Sequence, residues 1–371
     1  MVLPAKEQFA PTGAGAVALV VRDLAGATGG HWRATVLGAP VPGTPFPGAA
    51  FMPLHRRPLE ALFTGRSGAH ARAAARLLRA DPHCVVEVHN RAALARHLAR
   101  ALRPTPVVLV VHNEAQTMGG LRTPAERAAL LEDVRAVVCV SGFVRDGFLA
   151  GMPPLAATRV HAIANGLDLD GWPTSQGACR EPLILFVGRL NADKGADQFV
   201  RAAGQALPQL PGWRAAMVGD SWFGGRKDSP FVTALRAEAR AAGVDMLGYL
   251  DNAATLALMG RAAMVVMPNR WAEPLGRVAQ EALASGTPLM ASARGGLPEA
   301  AGDATLYVDP ECAETIAAAM LALARDPARR AAMAEAGRAH VRNFAMPVVA
   351  AHWVRLREAL ISAGGTTPAC R

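Results

Sequence analysis

Aromatic residues are scarce in this 371-residue chain, at 5%, and there are only three lysines, at positions 6, 194 and 227. With so few aromatics there is no stacking platform for bases, and no base-reading motif appears, which argues against nucleic acid as a partner. Long apolar runs are also missing. The most apolar stretch, Val107–Val111, has the length of a strand and falls far short of the ~18 or more residues a membrane helix needs. The opening MVLPAKEQFAP lacks a signal-peptide core. Five cysteines, at positions 84, 139, 179, 312 and 370, form no C-x-x-C pair, and their odd number argues against a disulfide framework. A reduced, cytoplasmic setting fits, with Cys139 read as a small buried hydrophobe in a strand-like run. No D-x-D-like pair of acids stands in a strand-end loop and no His/Cys cluster has ligand spacing, so no metal is expected.

What is present reads as globular α/β. The length exceeds one typical core, which makes two domains the default, and 51% of the residues are apolar. The net charge of +9 is uneven: residues 1–180 hold 19 Lys and Arg against 12 Asp and Glu, and the remainder 20 against 18. The basic excess is either an Arg-rich solvated surface or a face for an anionic membrane or acidic substrate.

Along the chain, strand and helix alternate. MVLP is a short strand; a loop with Gly13 and Gly15 leads into a helix over 16–25; Arg33–Leu37 is a strand; Ala39–Pro58 is a long Pro/Gly-rich loop. Helices follow over 67–80, 91–102, 124–133 and 143–149, with strands over 84–88, 107–111, 136–140 and 159–163 between and after them. Such alternation implies a parallel sheet with helices on both faces. Two strands end alike, in EVHN at Glu87–Asn90 and VVHN at Val110–Asn113, which sets His89 and His112 where parallel sheets bind ligands. The polar segment EAQTMGGLRTP after Asn113 suits a substrate loop. Leu167–Glu181 is the linker candidate, and after it the pattern restarts with a second parallel sheet over 183–308. Three helices, at 312–325, 327–336 and 346–362, finish the chain.

Three stretches carry chemistry. RWAEPLGRVAQE, Arg270–Glu281, places Glu273 in a loop, Gly276 at a helix start and Glu281 inside that helix. A helix N-terminus with free N–H groups suits a phosphate, and an acid among Ala279, Ala282 and Leu283 needs a polar partner. FVGRLNADKG, Phe186–Gly195, delivers Gly188 and Arg189 from a strand and Lys194 to the next helix, a cation pair able to hold two phosphates. ARGGLPE, Ala293–Glu299, makes a Gly-Gly backbone cradle.

In this order and spacing, GRLNADKG, EPLGRVAQE and GTPLMASARGGLPE resemble the retaining GT-B glycosyltransferases of family 4, as does NGLD at Asn165–Asp168. MVLPAKEQFAPTGAGAVALVVRDLA and VHNEAQTMGG resemble a bacterial branch assigned to cell-surface polysaccharide or lipopolysaccharide assembly. The resemblance implies a GT-B fold: two doubly wound Rossmann-like domains facing across a cleft. Residues 1–166 would form the acceptor-side domain, 167–345 the nucleotide-sugar domain, and 346–371 a terminal helix crossing back to the first. It further implies a UDP-, GDP- or ADP-sugar donor, no cofactor, and a glycan or lipid-linked glycan acceptor. Arg189 and Lys194 match the positions that hold the diphosphate, Glu281 the ribose ligand, and Glu273 the ligand of the transferred sugar. The backbone at Leu275 and Gly276 would face sugar or phosphate, and Gly13 and Gly15 match a loop that closes on the donor. His112 matches a histidine near the sugar, with His89 and Asn113 beside it on the acceptor or sugar side. Two departures stand out: the glycine loop reads GAGA rather than Gly-Gly, and Leu275 replaces a common Phe.

Transfer with retention follows from the resemblance alone, with Arg189, Lys194, Glu273 and His112 as catalytic residues. Glycosidase chemistry offers Glu273 as a covalent nucleophile; the family pattern instead has it bind sugar hydroxyls. The rival readings are a nucleotide-sugar epimerase or phosphorylase on the same fold and a non-catalytic partner subunit of a polysaccharide assembly complex. The basic N-terminal half, with Arg56, Arg57, Arg72, Arg76 and Arg79, makes the inner face of the cytoplasmic membrane a candidate partner.

Overall fold

The computed structural model describes residues 1–27, 32–80, 85–172, 180–221 and 229–362. The chain divides into two compact units, one of Met1–Leu167 with the chain from Phe344 on, the other Asp168–Asn343.

In the first unit α1 (Ala16–Gly26) precedes β1 (Thr35–Gly38) and β2 (Ala50–Pro53). Then come α2 (Pro58–Ala80), β3 (Val86–His89), α3 (Ala92–Ala101), β4 (Val107–Val111), α4 (Pro124–Asp133), β5 (Ala136–Cys139), α5 (Gly142–Leu149) and β6 (Val160–Ala162). β3, β4 and β5 are buried at every position, as strands covered on both faces must be, and all the pairings are parallel. Cys139 is among these buried residues, and burial pushes its thiol pKa up. Val2 bridges both Leu37 on β1 and Val88 on β3. The spatial order is therefore β2, β1, Val2, β3, β4, β5, β6, and the direction of travel reverses between Val2 and β3. Local signals close the helices: Thr123 and Glu126 form a capping box on α4 with Pro124 in its first turn, and Ser141 accepts from the Val144 N–H on α5.

The second unit runs β7 (Glu181–Val187), α6 (Ala196–Ala206), β8 (Arg214–Val218), α7 (Pro230–Ala241), β9 (Val244–Met246), α8 (Asn252–Arg261), β10 (Ala262–Met267), α9 (Arg277–Ala284), β11 (Leu289–Ala291), α10 (Leu297–Ala301), β12 (Thr305–Tyr307), α11 (Ala313–Arg325) and α12 (Pro327–Val341). Its parallel sheet is ordered β12-β11-β10-β7-β8-β9, so the reversal falls between β7 and β10. Phe186, Phe199, Met264 and Ile316 are central to a core joining this sheet to α6 and α11. Both sheets are doubly wound.

The last helix, α13 (Met346–Ser362), returns to the first unit and buries Met346, Val349, Trp353 and Leu360 against Leu24, Val108, Val110 and Val138. Each such side chain stabilises the docking by roughly 1.5–3 kcal/mol. The polar counterpart is Arg357, whose Nε donates to Glu87 on β3 at 2.7 Å. Both side chains are almost fully buried, at 5% and 4% exposure, and the guanidinium lies over Trp353 and Trp32.

Several local expectations need correcting. MVLP contributes a single bridging residue rather than a strand, since Pro4 has no N–H to continue a ladder. The stretch 39–58 is not all loop: β2 lies in it, as an edge strand where Pro53 is tolerated. The helix expected over 67–80 begins at Pro58 and breaks at Gly65, where φ is +65°. The sequence pattern hid its first turns because Leu62 and Phe63 there are exposed, at 77% and 82%, and mark no core-facing stripe. Cys84, most of the linker (173–179) and residues 222–228 lie outside the described residues.

The buried ion pair gives a direct test. Arg357→Ala strands Glu87 in the core and is expected to cost about 3–5 kcal/mol in urea unfolding, whereas the double change Arg357→Met with Glu87→Leu restores most of that loss.

Candidate functional site

In an open parallel sheet the loops leaving the carboxyl ends of the strands on either side of the order reversal enclose a crevice. In the second unit these are the loops after β7 and β10. The first runs through Gly188 and the exposed Arg189 to a short turn, Ala192–Lys194, capped by the Asn191 side chain, which accepts the Lys194 N–H at 3.1 Å. Gly195 then adopts a left-handed φ of +69° and starts α6. A Cβ there would lie 1.9 Å from the Pro268 carbonyl oxygen, so only glycine lets the two loops meet. Beyond Pro268, the N–H groups of Arg270 and Trp271 both donate to the Asp193 carbonyl, at 2.9 and 3.0 Å. The Arg270 guanidinium grips Asp197 through two bonds of 3.0 and 2.9 Å.

This stapling brings Lys194 to Glu273. Their side chains form an ion pair, each 14% exposed. Asn269 donates to the same carboxylate oxygen at 2.8 Å, and the ammonium lies 5.1 Å from the centre of the Trp271 ring. Glu273 is held from behind by the Gly295–Gly296 turn, whose Gly296 N–H donates to its carbonyl at 2.6 Å. A Cβ on Gly295 would stand 2.3 Å from that same oxygen. Leu275 is buried, and Gly276, with φ +104°, enters α9 with no side chain capping it. Glu281 is 4% exposed and bonds elsewhere: its Oε1 accepts from Arg277 at 2.8 Å and from Asn252 at 3.3 Å. The structure thus joins Lys194, Glu273 and the Gly-Gly turn directly. Among the described residues, Arg189 and Glu281 make no hydrogen bond to that group.

In the first unit the reversal lies between Val2 and β3, and the loop after Val2 holds Gly13 and Gly15. Gly13 takes φ +80° and Gly15 is the N-cap of α1. The backbone N–H groups of Gly15 and Ala18 are engaged by Glu7, whose carboxyl pKa is raised by burial despite Arg91 and these bonds. Across the reversal, His89 ends β3 and His112 follows β4. Their rings meet through Nδ1 of His89 and Nε2 of His112, 2.9 Å apart. Asn90 makes this possible: with φ +60° its Oδ1 accepts the His112 N–H at 3.1 Å, extending the ladder past the strand end. Both histidines are buried, at 0% and 8% exposure. Burial holds the His112 pKa down at about 4 and that of His89 well below its ordinary value; the positive charge of Arg357 adds a smaller effect at His89. Asn113 follows, half-buried. Among the described residues no group of three or more His, Cys, Asp or Glu could hold a metal.

Asn269, Trp271, Arg277, Asn90 and Glu7 carry contacts that sequence reasoning missed. Only Arg277 left a readable signal, standing four residues before Glu281 on one helix face.

Two doubly wound units, with a lysine and a glutamate joined at the strand ends of the second, have the layout of an α/β protein that binds a ligand at its sheet reversal. The comparisons agree. The model of "Glycosyl transferases group 1" matches residues 175–340 and that of "Glycosyltransferase Family 4" residues 17–170. Alpha-maltose-1-phosphate synthase of Mycolicibacterium smegmatis is 31% identical over 290 residues, 70% of this chain and 74% of that protein. A putative glycosyltransferase of Bacillus subtilis, YtcC, is 29% identical over 60% of this chain and 59% of its own. In fold, HepE of Anabaena, solved with UDP and glucose, superposes with a TM-score of 0.77 at 19% identity over 96% of this chain and 99% of its own. Sucrose-phosphate synthase of Thermosynechococcus elongatus gives 0.76 at 22% over 98% of each. The chain belongs to glycosyltransferase family 4 and has the GT-B fold.

The neutral histidines have a measurable consequence. The unfolded chain binds a proton at His112 near pH 6.5 and the folded chain only near pH 4. Stability is therefore full above pH 6.5 and falls as pH drops towards 4, by roughly 3 kcal/mol from this group alone. A ¹³C-resolved titration should show His112 still neutral at pH 5.

Proposed function

We propose that this glycosyltransferase moves a sugar, with retention, from a nucleotide-diphosphate sugar to a hydroxyl of a glycan or lipid-linked glycan in bacterial surface-polysaccharide or glycolipid assembly. The observation that carries the reading is the Lys194–Glu273 pair set by the Gly195–Pro268 and Glu273–Gly295 approaches at the reversal of the second sheet. In it Lys194 and the exposed Arg189 take the diphosphate and stabilise the charge that grows on it as it leaves. The Lys194 ammonium moves from Glu273 to phosphate oxygen, which frees the Glu273 carboxylate for hydroxyls of the transferred sugar. Glu281, held by Arg277 and Asn252, presents its second oxygen to the ribose. The α9 start at Leu275 and Gly276 faces phosphate or sugar. That HepE is solved with UDP-glucose supports a nucleotide-sugar donor.

Metal plays no part in this scheme, because the cations do the work of charge neutralisation. In this reading Glu273 binds sugar hydroxyls rather than attacking the sugar, with Asn269 still engaging one of its oxygens once Lys194 has moved. His112, with His89 and Asn113, lies on the sugar side, and Gly13 and Gly15 meet the donor, displacing Glu7 from the α1 start.

A donor screen by thermal shift with UDP, GDP, ADP and their sugars tests the reading, followed by product analysis. Lys194→Ala should cut kcat by about 10²–10³ while the fold survives, and the product should keep the anomeric configuration of the donor by NMR. An inverted product, full activity in Lys194→Ala, or turnover of the donor without acceptor would overturn it, the last in favour of an epimerase.

Peripheral membrane association is the second part of the proposal. Leu62 and Phe63 project from the first turns of α2, and Arg56, Arg57 and Arg66 around them are exposed. Apolar side chains ringed by cations suit the headgroup region of an anionic bilayer on the cytoplasmic side. Co-sedimentation with phosphatidylserine-containing vesicles should fall with added salt and be lost in Leu62→Asp with Phe63→Asp. Equal binding to neutral vesicles would sink this part.

A further inference from the structure

His89 is fully buried at the end of β3, and of its ring atoms only Nδ1 has a hydrogen-bond partner among the described residues. That partner is Nε2 of His112. The ring nitrogen left to His112 for any ligand is therefore Nδ1, and its character depends on which histidine donates in the shared bond.

Two neutral imidazoles share one proton across the 2.9 Å contact. If His112 donates, His112 Nδ1 is an acceptor and His89 Nε2 is a buried N–H with nothing to receive it. If His89 donates, His112 Nδ1 carries a proton and His89 Nε2 is a bare lone pair. Two considerations select the second arrangement. Orphaned buried N–H groups are rarer than under-satisfied acceptors. The Arg357 guanidinium also adds positive potential at His89, which favours a lone pair over an N–H dipole there. A water does not readily relieve the orphan: the adjoining cavity is about 10 Å³ and walled mainly by Val20, Leu24, Val110, Ile163, Met346 and Trp353.

We propose that His89 is a positioning residue that locks His112 in its Nδ1–H form, so that His112 offers a neutral hydrogen-bond donor to an oxygen of the sugar. This rests on the reading of His112 as a sugar-side group. Asn90 completes the device by fixing the His112 backbone, leaving the ring one orientation and one tautomer. A neutral donor suits an oxygen that gains little charge, while Arg189 and Lys194 meet the charged leaving group.

Nitrogen-detected NMR of the full chain at pH 7 reads the tautomers without reference to activity. The expected result is protonated Nδ1 on both His89 and His112; an Nε2–H form of His112 overturns the proposal. Steady-state kinetics then test the role. His89→Leu should lower kcat/KM by about 10–100-fold, by analogy with the loss on removing the partner that orients a metal-bound histidine. His89→Asn places an amide N–H near the original Nδ1 and should recover most of the loss. Equal rates for the Leu and Asn variants would show a merely steric role and overturn the positioning claim. Full activity in His112→Ala would remove the sugar-side reading, and the positioning role with it, while leaving the tautomer result intact.

Discussion

Gly195 passes beneath the carbonyl of Pro268 with no room for a side chain, and the rest of the candidate site hangs on that approach. It closes the loop after β7 onto the loop after β10, two strands that pair at the reversal of the second sheet. Once the backbones touch, the Asp193 carbonyl captures two N–H groups and Arg270 captures Asp197. Lys194 then has one place to go. A second close approach, Gly295 against the Glu273 carbonyl, fixes the acid that meets it. Short backbone contacts do what side-chain packing does elsewhere, and they hold a lysine and a glutamate 79 residues apart to ångström tolerance.

Other buried or half-buried charges are likewise held by several partners at once. Arg180 donates to carbonyls of Gly260, Ala262, Ser285 and Gly286, tying the ends of α8 and α9 together. Arg127 does so for Leu121, Arg122 and Ala150 around the loop after β4. Arg357 and Glu87 neutralise one another under α13. In each case burial raises the cost of losing a partner, so these residues act as locks on loop and helix position.

The two strand-end clusters have opposite electrostatic characters. In the second unit, Lys194 is paired with Glu273 and Arg189 is exposed on the same loop. In the first, His89 and His112 are desolvated into neutrality and linked by a single proton. Cations suit anionic groups, whereas neutral, oriented imidazoles suit uncharged hydroxyls.

Much of this was legible in the sequence. Strand and helix alternation, the restart after the linker, and the doubly wound class followed from periodicity, because parallel sheets demand apolar strands and amphipathic crossovers. Glu273, Lys194 and the Gly-Gly turn stood out because motif spacing records loops at strand ends. Periodicity could not reveal β2 in a Pro/Gly-rich stretch or the exposed first turns of α2, since neither has a core-facing pattern. Nor could spacing show that Lys194 pairs with Glu273, that Glu281 bonds Arg277, that Glu7 occupies the start of α1, or that His89 and His112 share a proton. The sequence by itself determined which residues lie at strand ends, through local propensity and hydrophobic pattern. Which strand ends become neighbours depends on sheet order, and that order arises from long-range pairing, so only the tertiary structure decided which of these residues meet.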